Sequence, residues 1–316
     1  MDRLLLHTPR SRWRRRLRRG GPSPLAGRTV LVTGASSGIG EATAYAAARR
    51  GAVVLLVARR AEELARVQAA VEAAGGTAAA YPCDLTDGDA VDALVARVLD
   101  EHDAVDYLVN NAGRSIRRSL ELSYDRFHDV ERTMAVNFFA PVRLTLGLLP
   151  AMREQGFGHV VNVLSWGVQL KAPKFTAYLA SKTALDTWSR IAGRETYGDG
   201  VTFTNIRFGM VRTPMVVPTG NVEDRRVITP EQAAERVVRA LEDRPVTVDT
   251  VIGTVGELVG LLAPRASDAL VHRLHRRSPD SAAARGGAPD QPASGEEADR
   301  PEDAGHDDQG AEQTGR

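Results

Sequence analysis

The stretch TVLVTGASSGIG, residues 29–40, predicts the fold class of this chain. Its first five residues are apolar or β-branched, which is typical of a buried parallel strand. Glycines follow at positions 34, 38 and 40, and a helical pattern then runs from Glu41 to Arg50. A strand, a glycine-rich turn and a helix in this order favour a dinucleotide site, because glycines let backbone amides approach a pyrophosphate at the helix start. A glycine-rich turn without a ligand is the alternative.

Strand-like and helix-like segments alternate after this unit. Short apolar runs that we interpret as strands lie at Ala52–Val57, Ala78–Pro82, Tyr107–Asn110, His159–Leu164 and Val201–Arg207. Helical patterns between them lie at Glu62–Ala74, Asp89–Asp100 and Arg132–Glu154. This alternation is typical of a parallel sheet covered by helices on both faces. We therefore predict an α/β domain with a doubly wound parallel sheet.

The two ends of the chain differ from this domain in composition. Residues 1–20 contain eight arginines and one acid, whereas residues 279–316 contain ten acids and three arginines. Neither end has a sustained apolar pattern, so we expect a disordered basic arm at 1–24 and a C-terminal extension, 266–316, ending in a disordered acidic tail. The basic arm is either a solvated extension or a peripheral contact with anionic lipid.

Bulk properties exclude several classes of function. The net charge is +1 over 316 residues, without a basic stripe in the middle of the chain, so we expect no nucleic-acid partner. Cys83 is the only cysteine, which suits a reducing cytosol. No apolar run reaches 18 residues and no secretory signal pattern is present, so we expect a cytoplasmic protein, with contact at the inner face of the membrane as an alternative. We predict no metal site.

The residues after the second and third strands indicate which dinucleotide binds. Arg59 stands where an NAD site usually carries an acid, and with Ser36 and Ser37 it could accept a 2′-phosphate. This favours NADP(H), although Arg59 could also be a solvated residue at a helix start. Asp84 and Leu85 follow the third strand, where they suit the adenine. Asp84 could instead cap the helix that starts near Asp87.

The stretch SWGVQLKAPKFTAYLASK, residues 165–182, carries the candidate catalytic groups. Tyr178 and Lys182 are four apart and share one face of a helix. An ammonium beside a phenol lowers the phenol pKa, so we expect Tyr178 to exchange protons near neutral pH. Ser165, at the end of a strand, could donate to a developing oxyanion.

Four motifs in register resemble the short-chain dehydrogenases/reductases: TGASSGIG at 33–40, NNAG at 110–113, Ser165, and Tyr178-x-x-x-Lys182. The resemblance covers residues 25–265 and implies a single domain with a Rossmann-type fold. It also implies a nicotinamide cofactor and a catalytic tetrad whose asparagine falls on Asn137. It also implies a homodimer or homotetramer in which the helix at Arg132–Glu154 contributes to the interface. The cofactor contacts it implies are Gly34, Ser36, Ser37, Gly38, Ile39, Gly40, Arg59, Asp84, Leu85, Asn111, Ala112, Gly113, Tyr178, Lys182 and Thr213.

The segment from Gly113 to Met134 resembles a bacterial subgroup, the long-chain fatty acyl-CoA reductases. So do the segments at 211–215, 218–219 and 228–234. Arg114, Arg117 and Arg118 follow the fourth strand at its carboxyl end, where they could hold the phosphates of coenzyme A. A solvated helix start or a dimer contact would explain the same arginines.

Three segments near the C-terminus complete the expected substrate side. We expect residues 215–227 to form a mobile lid, and Thr229-Pro230-Glu231-Gln232 to start a helix with a capping box. The apolar, glycine-containing segment Val251–Ala263 is too short to span a membrane. We expect it to be a short helix that packs in the core or closes the pocket, with membrane contact as the alternative.

Together these observations predict an NADPH-dependent reductase that converts a fatty acyl-CoA, a lipophilic substrate, to the aldehyde. The alternative is a generic ketoreductase or alcohol dehydrogenase of the same family, acting on a 3-oxoacyl, polyketide or other lipophilic ketone or secondary alcohol. A third hypothesis, from another class, is a catalytically idle scaffold that binds NADP or a membrane surface.

Overall fold

The computed structural model describes residues 5–6, 21–215, 227–276, 280 and 283–285. At its centre is a sheet of seven parallel strands: β1 Thr29–Thr33, β2 Val53–Ala58, β3 Thr77–Pro82, β4 Tyr107–Asn110, β5 Gly158–Ser165, β6 Val201–Phe208 and β7 Thr247–Thr250. Their order is β3-β2-β1-β4-β5-β6-β7. The order reverses between β1 and β4, and ligands of such sheets bind at the carboxyl ends of the strands beside that reversal. The predicted fold class is confirmed.

Helices cover both faces of the sheet. They are α1 Gly38–Ala48, α2 Ala61–Ala73, α3 Gly88–His102, α4 Phe127–Met134, α5 Ala140–Glu154, α6 Gly167–Leu170, α7 Thr176–Glu195, α8 Pro230–Asp243, α9 Val251–Leu262 and α10 Pro264–Arg276. Short 3₁₀ turns lie at Leu120–Leu122 and Ala283–Arg285. The two faces have separate apolar cores because successive strand residues point to opposite sides. Val30 and Val32 pack with α8, whereas Leu31 packs with α3 and α5.

The edge strand β7 was not foreseen from the sequence. It has only four residues, Thr247–Thr250, and they carry no apolar run. It pairs in parallel with β6 and antiparallel with the two-residue strand Leu5–Leu6, where Leu5 lies opposite Thr250. Residues 1–4 and 7–20 of the basic arm lie outside the described residues, as do most of the acidic tail and the lid expected between 215 and 227, apart from its two end residues.

The helix predicted at Arg132–Glu154 is not a single regular helix. It starts earlier, at Phe127, and a π-helical turn at Ala135–Phe139 separates α4 from α5. By length and composition, Phe127–Glu154 is the one helical stretch among the described residues that could cross a membrane. Its buried side packs in the core through Leu144 and Leu148, whereas Phe139 and Leu146 on its other side are exposed.

The prediction that residues 251–263 pack in the core or close the pocket is wrong for most of this segment. It forms α9, in which only Gly253 is buried among the described side chains. Its leucines and valines are exposed, for example Leu261 at 76%. The helix contacts the protein through its glycine side, against α6. The burial expected of an apolar run is therefore not achieved within one chain.

Candidate active site

One cavity of about 1650 Å³ lies along the carboxyl ends of the strands. Every cofactor and catalytic residue expected from the sequence lines it, except Gly40 and Asn137, which lie just behind its wall. The residues predicted from separate motifs therefore lie around a single cavity. The contacts within it, however, differ from the expected ones at several positions.

The glycine-rich turn leaves the start of α1 open toward the cavity. Gly34 has φ 67°, in the left-handed region that favours glycine. Gly40 lies against the Gly34 carbonyl oxygen, and a Cβ there would collide with it. Ser37 precedes α1 but makes no side-chain capping bond, so the first amides of the helix are not capped by this side chain. A helix N-terminus of this kind fits a pyrophosphate, and the nicotinamide dinucleotide implied by the motif fits here.

Thr33 and Asn111 join the two strands on either side of the reversal. The backbone N–H groups of Asn111 and Ala112 each donate to Thr33 Oγ1 at 3.0 Å. Asn111 Nδ2 donates in turn to the Thr33 carbonyl at 2.9 Å. These bonds fix the floor of the cavity. They explain why an asparagine follows β4 without invoking any contact to a ligand.

Two arginines, rather than one, border the expected 2′-phosphate position. Arg59 lines the cavity as predicted, and Arg60 lines it as well. Arg60 Nη2 donates to Ser36 Oγ at 3.3 Å. The repeated Arg-Arg after β2 was the only signal for Arg60. Two guanidinium groups beside a serine hydroxyl provide donors that a phosphate prefers.

Asp84 does not cap a helix. Its Oδ1 accepts hydrogen bonds from the amide and hydroxyl of Thr86 at 2.9 and 2.8 Å. These bonds, followed by the charge of Arg59, hold the pKa of Asp84 below its ordinary value. Asp87 caps α3 instead, accepting from the amides of Asp89 and Ala90. Asp84 and Leu85 remain on the cavity wall.

Ser165 and Tyr178 meet at the end of β5. Ser165 Oγ accepts from the Gly167 amide at 3.2 Å. Tyr178 borders the cavity but is otherwise surrounded by protein, and this burial raises its pKa to about 12, although a hydrogen bond with Ser165 lowers it. The expectation of a lowered pKa is therefore wrong for the protein alone. The phenol is protonated at neutral pH, as a proton donor must be.

Lys182 is turned away from that phenol. It is 4% exposed, and its Nζ donates to the Val163 carbonyl at 2.9 Å. Burial lowers the pKa of Lys182 to about 8. Because the ammonium is held by a backbone carbonyl, it does not contribute to the Tyr178 pKa here. The four-residue spacing placed both groups on one helix face, but it could not give the direction of a long, flexible side chain.

Asn137 lies in the π-helical turn and is fully buried. Its Oδ1 accepts from the Arg114 amide at 2.8 Å, and its Nδ2 donates to the Arg114 carbonyl and to Ser181 Oγ, both at 2.9 Å. It faces Gly113 on the side of Lys182, since a Cβ on Gly113 would come within 3.0 Å of Asn137 Oδ1 and 3.4 Å of Lys182 Nζ. Asn137 thus holds the loop after β4 against the catalytic helix.

The three arginines expected to bind phosphate do not act as a group. Arg114 and Arg117 line the cavity. Arg118 points away, donating to the Ala284 carbonyl at 2.8 Å and lying 3.4 Å from Asp129. The structure adds Arg132 and Arg285 to the lining, and neither was singled out from the sequence. Among described residues, the lining contains six arginines but only three carboxylates, so the cavity attracts anions.

A C-terminal segment completes the substrate side. Asp280 Oδ1 accepts from the Ser119 amide at 3.2 Å and lies 3.5 Å from Lys174 Nζ. Burial raises the pKa of Asp280, but the bonds from Ser119 and the charge of Lys174 outweigh it and hold that pKa below its ordinary value. Residues after α10 therefore join the loop after β4 to the loop before the catalytic helix. No sequence motif marks this contact.

His159, expected to be structural, lies at the start of β5, away from the cavity. Its ring nitrogens contact the hydroxyls of Thr202 and Thr204 at 2.8 and 3.2 Å. Burial lowers its pKa to about 3. The ring is therefore neutral and holds β5 to β6.

Comparisons with known proteins agree with this geometry. A family profile described as short chain dehydrogenase matches residues 28–224. An uncharacterized oxidoreductase of Mycobacterium tuberculosis is 46% identical over 263 residues, covering 82% of this chain and 77% of that protein. A fatty acyl-CoA reductase of Acinetobacter baylyi is 45% identical over 260 residues, covering 82% of this chain and 88% of that protein.

A solved structure shows the same architecture with a ligand. It is a metagenomic short-chain oxidoreductase in complex with NADP, 32% identical, with a TM-score of 0.60. The match covers 70% of this chain and 93% of that one. Binding of a nicotinamide cofactor is therefore supported by both the sequence family and the fold.

Proposed function

This chain belongs to the short-chain dehydrogenase/reductase family, and from that premise we propose that it reduces a fatty acyl-CoA to the fatty aldehyde with NADPH. The observation that supports acyl-CoA as the substrate is the excess of arginines over carboxylates along the cavity. Arg59 and Arg60 suit the 2′-phosphate of NADPH. Arg114, Arg117 and Arg132 lie on the other side, where a second phosphate-bearing molecule would enter. The similarity to the Acinetobacter baylyi reductase supports the same substrate class.

The catalytic side chains suit this reduction. When bound, NADPH supplies the hydride that adds to the thioester carbonyl carbon. Ser165 donates to the carbonyl oxygen as negative charge develops there. Tyr178, protonated because its pKa is about 12, gives its proton to that oxygen and forms a thiohemiacetal.

The second step releases the thiol. The Tyr178 phenolate takes the hydroxyl proton back, the C–O double bond forms again, and the C–S bond breaks with the electron pair leaving on sulfur. The products are the aldehyde, NADP⁺ and the thiolate of coenzyme A, which takes a proton from water. Lys182, with a pKa of about 8, is mostly charged at neutral pH. Its ammonium stabilises the transient phenolate once it leaves the Val163 carbonyl and turns toward Tyr178. Proton transfer of this kind contributes about 10²–10⁴-fold to rate.

A substrate panel tests the proposal. NADPH or NADH would be mixed with long-chain acyl-CoA, and both nucleotide oxidation and free thiol would be followed. We expect NADPH to be preferred and one thiol to appear for each NADPH oxidised. Oxidation of NADPH by a 3-oxoacyl substrate, with no thiol released from acyl-CoA, would establish the ketoreductase alternative instead.

The phosphate-binding role of Arg117 has its own control. Arg117→Ala should raise the KM for acyl-CoA about tenfold, the loss of one charge-assisted hydrogen bond. It should leave unchanged the KM for the same acyl chain on N-acetylcysteamine, which has no phosphates. Arg97→Gln serves as the matched control, because Arg97 is exposed on α3 and pairs with Glu101. Equal effects on both thioesters would exclude a phosphate contact.

We also propose that the protein is cytoplasmic and assembles as a homodimer or homotetramer. Exposed apolar side chains on neighbouring helices, Phe139 and Leu146 with Ile191, favour an interface there. Light scattering of the purified chain measures the assembly state. The arginine-rich arm favours a peripheral contact with anionic lipid, which cell fractionation with and without residues 1–20 would detect.

A further inference from the structure

The helix α9 presents its apolar side chains to solvent. Six large ones are between 45% and 76% exposed: Ile252, Val255, Leu258, Val259, Leu261 and Leu262. Val255, Leu258 and Leu262 follow helical spacing and lie on one face. Monomeric proteins rarely leave a contiguous apolar face of this kind uncovered, and such faces usually mark an interaction surface.

The orientation of α9 is fixed by its glycines. Gly253 and Gly256 face α6, and a Cβ at either position would collide with Gln169 or Leu170. On the same side, Glu257 accepts a hydrogen bond from Gln169 Nε2 at 2.8 Å. The absence of side chains at these two glycines allows this close approach. The leucines cannot turn inward without breaking it.

The following helix, α10, has no buried side chain at all. Leu270 and Leu274 share one face and are 59% and 56% exposed. Arg265 and Arg276, eleven residues apart, share a different face. The main contacts of α10 are with α9, and a thirteen-residue helix with so little burial is only marginally stable in water. The amphipathic pattern of α10 therefore requires a partner surface with an apolar region for the leucines and negative charge for the arginines.

The charge of residues 251–276, the C-terminal helix pair, distinguishes between two possible partners for its exposed face, a second copy of the chain and a lipid bilayer. Its polar side carries Arg265, Arg273 and Arg276 against Glu257, which is bonded to Gln169, and Asp268. A second copy of the chain that paired through the same face would bring these arginines toward one another. A bilayer with anionic headgroups matches both the arginines and the leucines.

We propose that the C-terminal helix pair binds the surface of an anionic lipid bilayer. Its leucines and valines enter the acyl region, and its arginines contact headgroup phosphates. This surface adjoins the active site, because α9 packs on α6, which begins two residues after Ser165. The proposal goes beyond catalysis and does not depend on which substrate is reduced.

Vesicle co-sedimentation of the full chain tests this proposal. One set of vesicles contains equal parts phosphatidylglycerol and phosphatidylcholine, and the other only phosphatidylcholine. We expect binding to the first and at least tenfold weaker binding to the second. Binding to neither, or equal binding to both, would overturn the proposal.

A neutral double variant separates the helix pair from the basic arm. Leu258→Gln with Leu262→Gln removes apolar surface without changing charge, and should weaken binding at least tenfold, as expected for two leucines that leave an apolar phase. Tyr197→Gln is the matched control, since Tyr197 is 85% exposed and precedes β6 at the opposite end of the sheet. Retained binding by the double variant would show that the arm alone binds lipid, and would overturn the proposal.

Assembly state distinguishes a lipid from a second copy. Light scattering without vesicles should give the same mass for the wild type and the double variant, and NADPH binding should be equal. A smaller mass for the double variant would show that this face joins two chains instead, and the lipid proposal would be wrong.

Discussion

The cofactor side and the substrate side of the cavity differ in how far apart in sequence their contacting residues are. On the cofactor side, Ser36 contacts Arg60, 24 residues away, and Thr33 contacts Asn111, 78 residues away on a neighbouring strand. On the substrate side, Ser119 contacts Asp280 across 161 residues and Arg118 contacts Ala284 across 166. The cofactor side is thus built within the sheet. The substrate side also depends on a segment that follows the last helix.

This difference means that the two sides should respond differently to substitution. A cofactor-side residue acts where its own strand places it, so its loss should affect nucleotide binding alone. A substrate-side residue acts partly by holding loops in place through contacts between residues far apart in sequence. Its loss should therefore affect substrate binding but not nucleotide binding. Tyr178 lies where the two sides meet, and its substitution should affect binding of neither the nucleotide nor the substrate.

The largest expected effect is that of Tyr178→Phe. Removing the only proton that the phenol can give should lower kcat by about 10²–10⁴-fold. NADPH affinity and acyl-CoA KM should change little, because the ring remains. Stopped-flow and steady-state kinetics measure this, with Tyr197→Phe as a control on an exposed tyrosine. An unchanged kcat would show that another group supplies the proton, whereas full cellular function of a variant that has lost its activity would support the idle-scaffold hypothesis.

Burial of Lys182 should appear as a pH-dependent stability. Its pKa is about 8 in the folded protein and 10.5 in the unfolded chain. Between pH 8 and 10.5, Lys182 holds a proton in the unfolded chain that it has lost in the folded protein. The contribution of Lys182 to the free energy of unfolding therefore rises with pH over this range, and it is lost as pH falls through 8. Urea unfolding of wild type and Lys182→Met without nucleotide should therefore show a difference that grows in favour of wild type between pH 8 and 10.5. A constant difference would show that Lys182 is not buried as the geometry indicates.

The sequence predicted the elements whose determinants are local. The strands Thr29–Thr33 and Tyr107–Asn110 have the predicted boundaries. Thr229 and Gln232 form the predicted capping box, because a cap depends on residues three apart. The cavity residues followed from motifs at strand ends, where a parallel sheet brings side chains together.

What the sequence did not reveal depends on distant contacts. The π-helical turn at Ala135–Phe139 has no local signature, since it accommodates the bonds from Asn137 to Arg114 and Ser181. The exposed side of α9 contradicts the usual rule that apolar residues are buried. Its orientation is set by Gln169 and Leu170, more than 80 residues earlier. Asp280 lies in a stretch whose composition indicated only an acidic tail.

On the cofactor side, Arg59→Ala should weaken NADPH binding about tenfold, as one charge-assisted contact to the 2′-phosphate is lost. NADH binding should stay the same, because NADH has no such phosphate. Fluorescence titration with both nucleotides measures this, and Arg60→Ala gives the companion value for the second guanidinium. An equal loss for NADH would indicate that Arg59 supports the fold of the turn rather than the phosphate.

On the substrate side, Asp280→Ala should have the smallest effect, raising the KM for acyl-CoA about three- to fivefold, roughly 1 kcal/mol for a partly exposed ion pair. The reason is indirect: without its bonds to Ser119 and Lys174, the loop that carries Arg114 and Arg117 is held less firmly. NADPH binding should be unchanged, and Asp89→Ala, at a fully exposed carboxylate, should change nothing. A lower KM would instead mean that the Asp280 carboxylate competes with the substrate phosphates for the arginines. The segment around Asp280 would then weaken substrate binding rather than position the substrate-binding loop.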